Sequence, residues 1–558
     1  MRIIAAAGEF ELPIGFEAEL SRNNVLLTAA GEQTQPITLP GIPNNLKLVG
    51  YSDRIDSYYK PLTDLDVIVS DGLFNRPCNL GIHSANEEDG ISATIYLGTG
   101  DFYSRVGNTR LNWLGWPVVK SPTFDTDTLA NQVLYLINIL KSEYNAPSGE
   151  SIFRMAPVST TQEFTWFVHR LKGDGTYEDV DVTGLFTLNG FERYQHSLEL
   201  SESGEGELTV FEGEYPQQLK IDGNTIDMST GYGMTPFLKV RYMVSFIFSK
   251  FGYSYDSRDL EENINEYADD IVMINNVADA IYGGILNFNK LVPDVTIKAF
   301  LAEVEKTFVG KFVLNEVTKT VLFCRYEDYL NRIAPDVDLS EYACSKSKLG
   351  AMDFTSIQIK DNADSTTTAD EANEKSVTID FDFVKQVLVT ASYTAPAVTG
   401  KSIDVTLKMV QIDNIVHVNS TVKVTGKTST EEKPAVSSIV QFMNVKNLLV
   451  TASSSISGVA IGYKRSYRLF TGLFDEDTET PLNAVDSFYT DYKLFRSNSN
   501  VPIELDMLIP EQIMEQLDLQ MPKLLHGQRV MIESLVQKLG KKSTVPVKLR
   551  TLRPFVSR

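Results

Sequence analysis

Sulfur chemistry has little to work with here: 558 residues contain three cysteines. Cys78, Cys324 and Cys344 match neither a zinc ribbon nor a CxxC redox pair, and Cys324, inside a strand pattern, reads as a small buried hydrophobe. Histidine is almost as scarce. His83, His169, His196, His417 and His526 are scattered, and none has a second His at i+4 as an HExxH zinc helix requires. Glu87 follows His83 by four residues, but it falls in the turn ANEEDG, where helical spacing has no meaning. There is no GxSxG elbow, no GxxxxGK[ST] loop and no GxGxxG fingerprint; YLGTGDFYS lacks the third glycine. Long apolar runs are missing too. Nothing approaches the roughly eighteen residues of a membrane helix, and MRIIAAAG is too short for a signal-peptide core. The reading is of a protein without enzymatic activity, with no catalytic, cofactor-binding or metal-ligating residue assigned. It is made in a reducing cytoplasm and does not insert into membranes.

Positive charge is also in short supply. Against 73 acidic residues stand 51 basic ones, a net charge of -22. That balance argues against wrapping nucleic acid through phosphate contacts, although a repulsive wall suits a polyanion that must slide past without sticking. Two acidic clusters invite a site reading. FDEDTETP sets Asp475, Asp477 and Glu479 at alternate positions, as a calcium loop does, but the required Gly and the distal bidentate Glu are missing, so a solvated loop is expected. Asp269 and Asp270 are adjacent and point apart on any regular element, so they form no glycosidase pair by themselves.

What the chain has in quantity is alternation. With 43% hydrophobic and 10% aromatic residues it can build ordinary cores, and its length calls for three to four domains. Five segments are expected. Residues 1–120 read as an antiparallel β-barrel or meander: Leu65, Val67 and Val69 share one face, Asp71-Gly72 turns, LFNRPCNLGIHS returns, and Ile91, Ala93, Ile95 and Leu97 alternate with Ser92, Thr94 and Tyr96. Ahead of them, GEQTQPITLPGIPNNLKLVGYSDRID reads as a Pro-punctuated arm confined to a sheet edge. Residues 121–229 are a second β-rich segment that opens with a polar, mixed connection to about residue 150.

Residues 230–345 carry the most explicit local signals. In VPDVTIKAFLAEVEKTFVGKFVLNEVTKTVLFCR, Asp294 or Thr296 offers a helix cap, and Ile297, Phe300, Leu301, Val304 and Phe308 line one helical face. Gly310 is expected to end the helix in the left-handed region, before a hairpin bearing Phe312, Leu314, Val321 and Phe323. About sixty residues earlier, TPFLKVRYMVSFIFSKFGYSYD repeats helix, Gly, strand. Residues 346–475 are β-rich and barrel-like, with DNADSTTTADEANEK as a solvated loop. Residues 476–558 hold helices and a closing hairpin. Its second strand needs a partner face, so it is expected to complete an earlier sheet. The Lys and Arg of KLGKKSTVPVKLRTLRPFVSR form that strand's wet face or meet an acidic partner. Trp113, Trp116 and Trp166 are the residues that could stack sugars; Leu111 and Leu114 flank Trp113 and favour core over platform.

The order of these stretches, EQTQPITLPGIPNNLKLVGYSDRID, IYLGTGDFYSRVGNTRLNWL, VRYMVSFIFSKFGYSYD, LVPDVTIKAFLAEVEKTFVGKFVLNEVTKTVLF and LHGQRVMIESLVQKLGKKSTVPVKLRTLRPF, resembles the tail-tip or baseplate hub proteins of phages and prophages of Bacteroidetes-type hosts. These are related in architecture to contractile-tail hubs and type VI spikes. The resemblance implies an α+β, predominantly antiparallel β protein with several domains: tail-tube-like β-barrels plus a helix-on-hairpin unit. It implies a homotrimeric ring that adapts the tail tube to the tip and encloses the DNA channel. Its partners would be tail tube or distal tail proteins, tip, spike or fibre proteins and the tape measure protein, with DNA only in passage. The protein would reside in the virion tail after assembly in the host cytoplasm. No hydrolase insert of the kind some hubs carry is seen. The other class open to the sequence is a β-sandwich adhesin or carbohydrate-binding module, which glycan binding would favour and ring formation would not.

Overall fold

The computed structural model describes residues 1–28, 31–51, 64–145, 151–155, 158–171, 174, 176–189, 231–255, 271–315, 318–326, 334–350, 352–361, 376–380, 398–407, 415–419, 489–499, 501–541 and 543–552, with short strands at 196–199, 209–212, 218–221, 224–227, 442–444, 473–474 and 481–482. It is α+β and predominantly antiparallel β, divided among several sheets.

The first segment contributes β1 (Arg2–Ala5), β2 (Ala18–Asn23), β3 (Glu32–Thr34), β4 (Ile37–Leu39), helix α1 (Pro43–Leu48) and the meander β5 (Asp64–Asp71), β6 (Phe74–Asn86) and β7 (Gly90–Leu97). The meander pairs as its alternation requires, Val67 facing Cys78 and Leu80 facing Ile95. Val67, Val69, Ile91, Ala93, Ile95 and Leu97 are all buried. Gly72 takes φ of +62° in the turn, where a side chain would be strained. The Pro-punctuated arm is at an edge only in part: among the described residues β4 bonds to β7 alone, whereas β3 is interior. Pro36 separates β3 from β4, and both strands bond to β7, while β3 also bonds to β2 on its other side. The proline breaks the ladder locally, and the strands on either side of it stay short enough to share one partner.

Next in order come α2 (Thr99–Val106), β8 (Val118–Lys120), α3 (Leu129–Asn145), the long hairpin of β9 (Val158–Leu171) and β10 (Tyr177–Leu188), α4 (Val240–Lys250), β11 (Ser254–Tyr255), β12 (Ile285–Asn287), α5 (Ile297–Thr307), β13 (Gly310–Asn315) and β14 (Thr320–Arg325). Helix α3 replaces the polar connection expected after residue 120: Leu136, Ile137 and Leu140 are buried at helical spacing in the same core as α4 and α5.

The helix-on-hairpin unit is present. The Thr296 hydroxyl accepts the Ala299 N–H at 3.2 Å and caps α5. Ile297, Phe300, Leu301 and Val304 are buried in one core with Phe312 and Phe323 of the hairpin. Its end differs from the expectation. Val309, not Gly310, takes the left-handed φ of +53°. Gly310 already lies in β13, paired with Arg325. Phe323 explains the glycine: a Cβ at 310 would lie 2.4 Å from its ring. Gly252 does end α4 with φ of +78°, and β11 then joins β14 in parallel. Cys324, expected buried, is half-buried, because Phe323 takes the inward register of β14 and turns its neighbour outward.

Later strands are β15 (Met352–Asp361) and β16 (Val398–Leu407), parallel to each other. The last segment holds α6 (Thr490–Asn498), β17 (Pro502–Met507), α7 (Glu511–Gln516), β18 (Lys523–Leu525), β19 (Gln528–Leu539) and β20 (Val545–Thr551). The closing hairpin completes an earlier sheet: β19 lies antiparallel to β2, from Ala18 opposite Leu539 to Asn23 opposite Ser534. Through that pairing, strands from both ends of the chain form one 14-stranded sheet among the described residues.

The sheet covers two separate cores. One is built on β1, β2 and β4 to β7 and includes Leu539. The other is built on β17, β19 and β20 and includes Val530, Ile532 and Leu535. A β-bulge at Glu533 keeps those last three on one face: the pairing steps from Ile532–Leu549 to Ser534–Lys548, so the extra residue restores the inward phase.

Candidate functional site

Buried polar residues sit mainly where distant segments meet. At the junction of the two cores, the Arg22 guanidinium donates to the carbonyls of Met514 and Leu517, at 3.0 and 3.1 Å, and to Glu32 at 3.0 Å. Arg76 reaches the Glu515 carboxylate and backbone carbonyl, and the Glu511 carboxylate accepts the Leu73 N–H. Apart from the Arg22–Glu32 pair, which lies within the first segment, these contacts tie α7 and the residue that follows it to the first segment. A buried guanidinium needs partners for most of its donors, so these contacts fix the angle between the two cores rather than merely decorating the surface.

The cations of the C-terminal strand are largely satisfied within the chain. Lys548 and Arg550 both pair with Glu533, at 3.1 and 2.6 Å, and Arg550 also reaches Asp353 at 2.5 Å. Lys538 pairs with Glu19 and Lys541 with Glu17. Among the described residues these cations thus have acidic groups within the chain, and Arg550 is buried rather than on a wet face.

The histidines are placed separately. His83 occupies a bulge between β6 and β7, exposed, with Nε2 2.8 Å from the Thr94 hydroxyl. His169 lies in β9 opposite Asp179, His196 begins the short strand 196–199, and His526 turns the chain between β18 and β19 with φ of +48°. His417 alone joins a constellation, one that sequence spacing did not reveal. Its Nε2 is 2.6 Å from Tyr232 Oη, with the two rings stacked at 5.6 Å. Beside them is Asp279, almost wholly buried, whose two carboxylate oxygens accept the N–H groups of Val418 and Asn419, each at 2.8 Å. The Asn419 amide returns to the Asp279 carbonyl at 2.9 Å, and Lys290 donates to Asn419 Oδ1 at 2.6 Å.

Phenol, imidazole and carboxylate in one place suggest proton transfer, but the geometry serves another purpose. Burial pushes the Tyr232 hydroxyl far above its ordinary range, helped by the Asp279 charge, and burial pushes the His417 imidazole down against that charge. Both groups are thus held neutral near pH 7. Asp279 spends its oxygens on backbone N–H groups. The cluster clasps residues 415–419 against 276–280, where the Ala278 N–H donates to the Val416 carbonyl and the Val416 N–H to the Asn276 carbonyl.

The tryptophans divide. Trp116 is core, its indole N–H donating to the Leu111 carbonyl at 2.7 Å and its ring stacked on Phe246. Trp113, expected in the core, is 69% exposed: the short 3-10 turn of residues 111–113 buries Leu111 and turns Trp113 outward. Trp166 lies in β9, opposite Val182. Asp269, Asp270, Asp475, Asp477 and Glu479 lie outside the described residues. Among the described residues no group of three or more His, Cys, Asp or Glu side chains is placed to hold a metal ion, and no helix is long and apolar enough to cross a membrane.

In comparison with known proteins, the chain matches no family model and no curated protein. Among solved structures it is similar to the 43 kDa tail protein of prophage MuSo2 from Shewanella oneidensis, at 6% identity and a TM-score of 0.27, with 99% of this chain and 98% of that chain covered. Identity and superposition at that level do not establish a common fold.

Proposed function

We propose that this chain is a structural component of a phage-type tail, a hub that forms a homotrimeric ring between the tail tube and the tail tip, rather than an enzyme. One observation carries the reading: β19 runs across two separate apolar cores within one sheet, so each chain presents two β walls in fixed relation. Three chains then supply six walls, the number that matches a six-fold tube above and a three-fold tip below. Closed cyclic symmetry builds such a ring without free contact surfaces. The residues that fix the angle between the walls are Arg22, Arg76 and the carboxylates of α7.

The ring would assemble in the host cytoplasm and bind tail tube or distal tail proteins, tip or fibre proteins and the tape measure protein. DNA would pass through it without specific binding, since a wall drawn from a chain of net charge -22 repels a phosphate backbone. The test is the mass and projection image of the purified chain, alone and with its tail tube protein. Three copies in a closed ring are expected; a ring of any other copy number overturns the reading.

A second reading rests on Trp113. An indole this exposed is the kind of platform on which a sugar ring stacks, which favours an adhesin or carbohydrate-binding module. Glycan binding by the isolated chain, lost in Trp113→Ala, would support this second reading against the first.

A further inference from the structure

Helix α3 carries no charged residue from Leu129 to Leu140, in a chain where 22% of residues are charged. Its inner face is ordinary: Leu136, Ile137 and Leu140 are buried in the central core. The outer face is not. A helix on a protein surface normally turns charged residues to water, whereas the positions α3 exposes over that stretch are Leu129, Ala130, Asn131, Leu134 and Asn138, with Tyr135 half-buried at their side. Leu134 is 52% exposed. No described residue covers this strip.

We propose that the outer face of α3 is the surface through which one copy of this chain meets the next. The inference rests on the ring reading above and says which face closes it. The occupant follows from charge. A partner rich in Lys and Arg would find complementary surface almost anywhere on a chain of net charge -22, and would have no need of a neutral strip. A second copy carries the same -22, so any contact through typical surface sets carboxylate against carboxylate. Like charges brought together at an interface cost several kcal/mol. A face without charge is where two such copies approach at least cost, and its Asn side chains offer both donors and acceptors to an identical or different neighbour.

Size sets the extent of the contact. The twelve uncharged residues at 1.5 Å each span about 18 Å of the helix, and a strip about 10 Å wide offers about 180 Å². A stable interface takes roughly 800 Å² from each partner. The strip is therefore the dry centre of a larger contact, with Leu134 as its apolar anchor and charged residues at the rim. Added salt screens the repulsion between copies without weakening a neutral centre, so association strengthens as ionic strength rises.

The test is sedimentation of the full chain and of Leu134→Glu and Asn138→Asp, at low and high salt, with thermal unfolding as the check that each variant folds. Both substitutions fall on outward positions and leave the buried face intact. The wild type is expected to assemble, more strongly in high salt, and each variant to associate at least tenfold more weakly while unfolding at the same temperature. Wild type and folded variants that assemble alike overturn the α3 surface but leave the ring standing. A wild type that stays monomeric, alone and with the tail tube protein, overturns the ring and this surface with it.

Discussion

The side-chain amide of Asn24 donates to the carbonyl oxygens of Leu519 and Ile532, at 2.7 and 3.0 Å, and its own Oδ1 accepts the Leu26 N–H at 3.0 Å. A wholly buried side chain in the first segment thus satisfies two backbone acceptors close to 500 positions later. The Asn24 N–H adds a bond to the Glu533 carbonyl, at the bulge of β19. One residue completes both the pairing of β2 with β19 and the turn that leaves β2.

Asn24→Leu conserves volume and removes these bonds, taking a donor from two buried carbonyls and an acceptor from the Leu26 N–H. Each orphaned group costs about 1–3 kcal/mol, so the expected loss is about 3 kcal/mol in urea unfolding. A loss below about 1 kcal/mol would mean that water replaces the amide and that the junction is less dry than the structure indicates.

A buried aromatic at the centre of a helical stripe gives the second prediction. Phe300→Ala should cost about 3–5 kcal/mol, since Phe300 is wholly buried and is the largest of the buried side chains of α5. Glu303, on the flank of the same helix, is paired with Lys306 at 2.7 Å in a partly exposed site, and Glu303→Ala should cost no more than about 0.5–1 kcal/mol. Equal costs would show that the apolar face of α5 is not what anchors it.

Much of this fold was legible because its local rules agree. The meander alternates with a period of two, α5 has a cap and a clean stripe, and VPVKLRTL needed a partner and found one. Helix α3 was not legible, because Leu134, Tyr135 and Ile139 add apolar residues outside its buried stripe and blur the 3.6-residue period. Trp113 was misassigned because its flanking leucines, at i−2 and i+1, do not share a face with it in a helical turn: residues 111–113 bury Leu111 and leave Trp113 outward. The polar joints were invisible for a different reason. Asn24, Arg22 and Asp279 bond to backbone groups of remote segments, and neither periodicity nor any short motif marks such a residue. The sequence showed only that they are polar; the pairing of segments decides that they are buried.

Gly310 separates two explanations of one glycine. If its purpose were to end α5, an Asn would serve nearly as well. The structure instead requires the absence of a side chain: a Cβ would meet the Phe323 ring at 2.4 Å and the Cys324 carbonyl at 2.9 Å. Gly310→Ala should therefore destabilise by about 1–3 kcal/mol, and Phe323→Leu in the same chain should recover part of that loss. A neutral Gly310→Ala would refute the close approach.

His417 makes the last prediction one of sign. Burial holds its imidazole below the ordinary value of 6.5, with the Asp279 charge opposing in part. The unfolded chain therefore takes up the proton first, and in the window between 6.5 and the lower folded value it binds more protons than the folded one. The stability contributed by neutral His417 is complete above that window and is lost as the pH falls through it. The carboxylates that also titrate on acidification obscure the effect in the wild type alone, so the measurement is a difference. In His417→Gln the side chain can still accept a hydrogen bond from Tyr232 but does not titrate. Urea midpoints of the two proteins, taken from pH 8 to pH 5, should run parallel above about pH 7 and converge below it as the wild type loses its advantage. Curves that stay parallel throughout would show that the clasp on residues 415–419 does not depend on a neutral imidazole.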